Sequence, residues 1–311
     1  MTVVESRRPT EPGAIGRRDA LRRRRRARRS YAGVGFALPA MLLYAGIVLV
    51  PFGHGVWISL HEWDGVSPMR WVGLDNFTRA FGDSAVRTAA WHSLVIVVFY
   101  AALPIVFGLA LAAVMARTRI RGLAMWRAIL FMPQAISVVV VGVAWQWLLQ
   151  QDGPVNQLLR AVGLGDLTRV WLGDFTWALP AEGAIGTWLM TGLCMVLFLS
   201  GVQSIDTSLY DAARMDGAGP LAEFFAVTLP GLRRVVAVAS VLTLVVALNN
   251  FGLIWVTTQG GPGDETEVLA TYVYKRAFQI GEIGFASAVA VLVAIVVIVV
   301  SFAISRLGDA E

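Results

Sequence analysis

Hydrophobic residues run along this chain in long blocks separated by short polar segments. Six blocks approach the 20 or so residues needed to cross a bilayer as a helix. They lie at roughly 34–60, 91–116, 128–149, 183–203, 235–256 and 284–305. The last is the cleanest, with no ionisable residue from Ala286 to Ser305. Barrel strands would alternate polar and apolar, and Val291-Leu292-Val293-Ala294-Ile295-Val296-Val297 does not. The pattern predicts an all-α integral membrane protein with six spans. The first block is too long for a signal-peptide core, and Pro39 and Pro51 are expected to bend it.

Composition agrees with that pattern. Of 311 residues, 57% are hydrophobic and 15% charged, with a mean hydropathy of +0.65. Soluble domains carry about 25% charged residues, so a cytosolic enzyme is excluded. One cysteine, Cys194, excludes an intrachain disulfide framework and a cysteine metal cluster. His54, His61 and His92 form no ligand pattern, so no metal site is expected.

Charge gives a topology. Residues 1–30 hold eleven arginines against Glu5, Glu11 and Asp19. This head, 1–33, is predicted to be cytoplasmic, as a topology signal or an anionic-lipid contact rather than a nucleic-acid arm. With alternating spans, inner segments then hold nineteen of the 26 basic residues. Both termini are expected in the cytoplasm of a bacterial cell, with 306–311 as a short inner tail. The charged residues all fall outside the spans or at their margins. An ion-coupled carrier usually needs such groups within the membrane. No phosphate-cradling GxxxxGK loop exists, because the one lysine, Lys275, lies in Tyr274-Lys275-Arg276. If ATP drives this protein, another polypeptide hydrolyses it.

The polar inner segment 204–234 is the most informative. Asp206 or Ser208 can cap a short helix whose body includes Asp211, Ala212 and Ala213. Gly217, after Asp216, stands where that helix must turn. A second short helix would run to about Thr228, with Pro230 at the entry to the next span. On physical grounds a docking surface and a solvated connector remain equal readings.

The stretch from Asp211 to Pro230, DAARMDGAGPLAEFFAVTLP, resembles the EAA loop of binding-protein-dependent ABC importers. Asp211, Ala212, Ala213, Gly217, Leu229 and Pro230 match, with Asp211 in place of the leading glutamate. Further segments resemble the carbohydrate (maltose/sugar-permease-like) branch. They are Thr258-Gln259-Gly260-Gly261-Pro262, Val72-Gly73-Leu74-Asp75-Asn76-Phe77, Trp126-Arg127-Ala128 through Met132-Pro133, and Phe285-Ala286-Ser287-Ala288. The resemblance covers about residues 34–305. Asp206 departs from a frequent proline and Cys194 from a frequent amide, which touches loop geometry and solute contacts respectively.

The resemblance implies a permease subunit importing a sugar or polyol. Its implied partners are a second homologous permease, two ATP-binding subunits and an extracytoplasmic solute-binding protein. This chain is implied to hold no cofactor; ATP and Mg belong to the ATPases, which Asp211, Ala212, Ala213, Asp216, Gly217, Leu229 and Pro230 would contact. Gly260, Gly261 and Pro262 form an outer loop motif. Two amides in an apolar span, Asn249 and Asn250, are either interhelical bonds or solute contacts. The resemblance adds Trp188, Thr191 and Gly192 to the solute-path candidates. Trp145, Trp147, Trp171 and Trp177 read as interfacial anchors, and Gly108 and Gly142 as helix-packing positions. A passive facilitator would need no ATPase. A membrane enzyme would have to use outer acids such as Asp152, Asp166 and Asp174, and no catalytic constellation is present.

Overall fold

A computed structural model describes residues 37–117 and 122–309. Residues 1–36, which include the arginine head, the segment 118–121 and residues 310–311 lie outside the described residues. Five helices are long and apolar enough to cross a membrane, and a bent pair makes a sixth span. The chain divides into two compact units between Gly55 and Val56. In the first, the helical residues from Ala37 onward are exposed almost throughout, as a helix facing lipid or another chain would be.

In the second unit the spans are Ser84–Ala116, Leu123–Ala135 with Val138–Leu148, Ala178–Val202, Arg233–Thr257 and Ile283–Asp309. The fourth, Ala178–Val202, is the centre, with 56% of its most apolar window buried. Small residues let its neighbours approach closely, which substitutes for a hydrophobic driving force that lipid cannot provide. A Cβ on Gly108 would stand 2.6 Å from Cys194 Cβ, so the second span lies directly on the fourth. Gly142 has the same role, with Val256 Cγ1 at 2.8 Å from its Cβ direction.

Two predicted spans are interrupted. The third begins at Leu123, earlier than the block at 128–149, and bends by 97° between Ala135 and Val138. Pro133 sits inside its first half, where it removes a helical hydrogen bond, and Ile136 is extended. The fifth breaks after Leu248 and resumes at Gly252. Asn249 and Asn250 therefore lie at a helix break rather than inside a continuous helix. The Asn249 amide donates to the Val245 carbonyl at 2.9 Å, competing with continuation of the helix.

The polar segments gather at two ends. At one, His61–Glu62 pairs antiparallel with Arg70–Trp71, followed by the helix Asp75–Gly82. Buried Asn76 donates to the Ser59 and His61 carbonyls at 2.9 and 2.8 Å, so the VGLDNF segment closes this turn. Arg79 and Arg276 both pair with Glu282, at 2.7 and 3.0 Å. Tyr272 donates to Asp83 at 3.1 Å, and Asp83 caps the second span through the Ala85 amide. At the other end lie the segment 204–234 and the last turn of the sixth span. Among the described residues no ion pair joins one end to the other, as alternating spans require.

Candidate functional site

The segment after the fourth span folds as two tied short helices. Asp206 caps the first, Thr207–Met215, by accepting from the Ser208 amide at 2.9 Å. That bond, with the Ser208 side chain, holds the Asp206 carboxyl below its ordinary range. The helix ends at Asp216, and Gly217 follows at φ +80°. The Gly217 and Ala218 amides close back on Arg214 and Ala213, satisfying carbonyls of the last turn. Asp211, Ala212 and Asp216 are exposed and Ala213 is half-buried. Leu229 is half-buried and Pro230 exposed, at the start of the last short turn before the fifth span.

Two side-chain links make the pair of helices a single piece. Arg214 pairs with buried Glu223 at 3.0 Å, from the first helix to Pro220–Glu223. Tyr210 and Thr228 share a hydrogen bond of 3.1 Å. By contrast Asp211 reaches Arg214 at 3.4 Å with both side chains mostly exposed, a contact worth little in water. Large apolar side chains nevertheless face outward: Met215 is 89% exposed and Leu221 76%. Leu209 and Phe225 are exposed beside them. This segment lies beyond the ends of the spans, where water rather than lipid would meet such side chains.

The solute-path candidates do not form one group. Asn250 is buried and Asn249 exposed, so the two amides point apart. Trp188 is 42% exposed and meets Trp145 edge to face at 5.6 Å. Trp145 is thus a packing partner of a candidate contact and not a free anchor. Trp171 likewise donates to Asn156 at 2.9 Å and packs on Trp177. Thr191 donates to the Thr187 carbonyl within its own helix. Gly192 does not face a path: its Cβ direction points at the Leu130 carbonyl oxygen, 2.0 Å away. Its role is to bring the third and fourth spans into contact.

A largely buried polar group, not singled out from the sequence, joins the second, third, fourth and fifth spans. Glu182, fully buried, accepts from Thr257 on the last piece of the fifth span. Gln146 donates to the Val256 and Thr257 carbonyls at 3.1 and 2.7 Å. Tyr100, on the second span, lies beside both Glu182 and Asn250. Glu182 is the fifth residue of a helix that starts at Ala178, not an outer-loop residue. The sequence did carry a signal: Pro180 suits a first helical turn, which places the helix start before the apolar block.

The outer loop motif is a pinned turn. Thr258 and Thr266 share a hydrogen bond of 2.6 Å across it, and Thr266 also donates to the Gly261 carbonyl. Gly260 is at φ +93°, with Lys275 Nζ 3.0 Å from its Cβ direction. Lys275 pairs with Asp264 and Glu267 at 3.1 and 2.8 Å. Gly261 and Pro262 are half-buried within the same turn.

Comparison with known proteins decides what carries these features. Residues 105–310 match the family model described as the inner membrane component of binding-protein-dependent transport systems. The chain belongs to this family. It is a permease subunit of an ABC importer, a multi-pass inner membrane protein and not an enzyme. The permease is 35% identical to a probable ABC transporter permease, YurN, of Bacillus subtilis, over 86% of this chain and 92% of that one. It is 30% identical to the diacetylchitobiose uptake system permease NgcF of Streptomyces coelicolor, over 98% and 91%. Its fold superposes with a TM-score of 0.76 on a chain of a bacterial ABC transporter involved in import of the acidic polysaccharide alginate, at 23% identity, covering 92% and 98%.

Proposed function

We propose that this permease imports a sugar or polyol, forming half of a translocation path with a second, similar permease. Two ATP-binding subunits, which hold ATP and Mg, dock below the pair, one of them on the segment 204–234 of this chain. An extracytoplasmic solute-binding protein delivers the cargo, and both termini of this chain are cytoplasmic. The carbohydrate class is supported by the named substrate of the Streptomyces relative and by the scarcity of charge in the spans. Buried Asn250 and partly exposed Trp188, though not gathered into one site, supply an amide and an aromatic face of the kind a neutral polyhydroxylated solute uses.

The observation that carries the reading is the surface between Thr207 and Phe225. It is short, internally tied and apolar outside, with small residues at Ala212 and Ala213. Arg214 and Tyr210 make it move as one body with the entry to the fifth span. A subunit that pushes on this surface would thereby displace that span. The two states of the path are then biased by a partner, as coupling requires.

Gly217→Asp tests it. No atom lies within 4 Å of the Gly217 Cβ direction, so the folded chain has room for the side chain. The positive φ still costs about 1 kcal/mol, and a new carboxylate enters the docking face. Membrane yield and pairing with the sister permease should be unchanged. ATPase co-purification or solute-stimulated ATP turnover should be lost, together with sugar uptake. Normal uptake with the ATPase fully retained would show the segment to be a plain connector.

A further inference from the structure

The third and fifth spans break side by side. The third breaks between Ala135 and Val138, and the fifth stops at Leu248 and resumes at Gly252. The first residues of the two resumed pieces touch: Val138 Cγ1 lies 3.2 Å from the Cβ direction of Gly252. One helical turn on, Val256 Cγ1 lies 2.8 Å from the Cβ direction of Gly142. A further turn along the third span, the Gln146 amide donates to the Val256 and Thr257 carbonyls at 3.1 and 2.7 Å. Val138–Leu148 and Gly252–Thr257 therefore start together and run parallel over their shared length.

The Gln146 contact differs in kind from the other two. Gly142 and Gly252 only permit close approach, and helices that merely touch can slide. Gln146 instead fills two carbonyls at the C-terminal end of a short helix, where intrahelical partners run out. Such side-chain bonds between spans hold helices together in lipid. Thr257 also donates through its hydroxyl to Glu182, so the tie extends to the fourth span.

The two spans pass on a displacement differently. The fifth keeps its direction across the break and forms one span, Arg233–Thr257, whereas the two halves of the third meet at 97°. A bend of that size does not carry a push along the helix axis. The inner half of the third is also held against the fourth span, where the Leu130 carbonyl faces Gly192. The fifth span follows directly from the segment 204–234 through Leu229–Gly231. We propose that Gln146 is a positioning residue for transport, joining Val138–Leu148 and Gly252–Thr257 into one body, so that a displacement of the fifth span at 204–234 also moves the far half of the third. The role needs no contact between Gln146 and solute. It rests on the docking of an ATP-binding subunit at 204–234.

The test uses the permease purified with its sister permease and ATP-binding subunits in lipid nanodiscs. Hydrogen exchange is read by mass spectrometry without nucleotide and after trapping with ATP and vanadate. In the unaltered complex, peptides covering 138–153 and 249–262 should both respond to trapping. Gln146→Met, which keeps an unbranched side chain but has no donor, should lose the response at 138–153 and keep it at 204–234 and 249–262. Gly142→Cys with Val256→Cys sets two thiols near the Cβ separation that a disulfide spans, and native Cys194 is buried away from reagent. Oxidising that pair in the Gln146→Met protein should restore the response at 138–153, which a role in stability alone would not do. A response at 138–153 that survives Gln146→Met would overturn the role, as would failure of the oxidised pair to restore it. If Gln146→Met does not assemble, the pair is read with Gln146 in place. Oxidation should then leave both responses intact, and loss of either would show that the two pieces move against each other. A complex purified without ATPase would sink the docking reading and, with it, the push that Gln146 transmits. Retained ATPase, with the unaltered complex responding at 204–234 and 249–262 but not at 138–153, would sink the role of Gln146 alone.

Discussion

At the scale of single residues, the anomalies are Gly192 and Glu182. Gly192 was legible as part of a family segment but not as a packing residue, because nothing local records that Leu130 lies across it. Any side chain there must displace a backbone carbonyl at 2.0 Å. Gly192→Ala should therefore destabilise the permease by about 1–3 kcal/mol through overpacking. Thermal unfolding in detergent should shift down, while the KM for uptake by the surviving protein stays the same. A changed KM at unchanged stability would return Gly192 to the solute path. Glu182 is the converse case, an ionisable side chain buried where burial is expensive. Its acceptor contact with Thr257 ties the fourth span to the end of the fifth. Glu182→Gln keeps an acceptor oxygen and should unfold at nearly the same temperature. Glu182→Ala removes the tie and should cost about 1–3 kcal/mol. Equal losses in the two variants would mean that charge, not the hydrogen bond, holds this joint.

At the scale of elements, spans were legible as hydrophobic blocks because a lipid-facing helix needs apolar residues on every side. Interruptions were less legible. Pro133 announces the bend of the third span, but Asn249 interrupts the fifth with a single side-chain bond that hydropathy does not register. The short helices of 204–234 were readable from their caps: Asp206 and Gly217 stand where the chain starts and stops turning. The tie between the two helices was not readable, since Arg214 and Glu223 become partners only after the turn at Gly217. That tie makes a prediction. Arg214→Ala takes the ion pair from buried Glu223 and should cost about 1.5–3 kcal/mol locally. Asp211→Ala loses one mostly exposed contact and should be nearly silent in stability. Hydrogen exchange across Thr207–Phe225 should quicken in the first variant and not in the second. The Asp206 cap adds a pH dependence. Its folded carboxyl titrates below the ordinary aspartate value of 3.8, so its contribution is complete above that value. It fades only as pH falls through the lowered value. Exchange at the first turn should be level across the neutral range, and Asp206→Ala should raise it there. Unchanged exchange in that variant would show that the cap is dispensable.

At the scale of the whole molecule, the sequence and the contacts bear on different parts of the topology. Contacts within the second unit divide the charged residues into two ends. One holds the cluster of Arg79, Asp83, Arg276 and Glu282, and the other holds Arg214 with Glu223. Which end faces the cytoplasm is a matter of charge bias, and the deciding arginines are in the head, outside the described residues. The positive-inside rule puts the Arg214 end in the cytoplasm and the Arg79 end outside. The permease is well suited to a direct check, because its one native cysteine, Cys194, is buried and should be silent to labelling. Met215 and Asp75 are exposed at the two ends, and neither makes an ion pair or side-chain hydrogen bond among the described residues. In intact spheroplasts an impermeant maleimide should label Asp75→Cys and spare Met215→Cys. Permeabilisation should then expose Met215→Cys to the reagent, unless an ATPase is already seated over it. Stripping that subunit with urea before labelling separates protection by a partner from protection by the membrane. Labelling of Met215→Cys from outside, with Asp75→Cys protected, would invert the molecule. It would then remove the docking reading along with the orientation, because a surface on that side cannot meet a cytoplasmic ATPase.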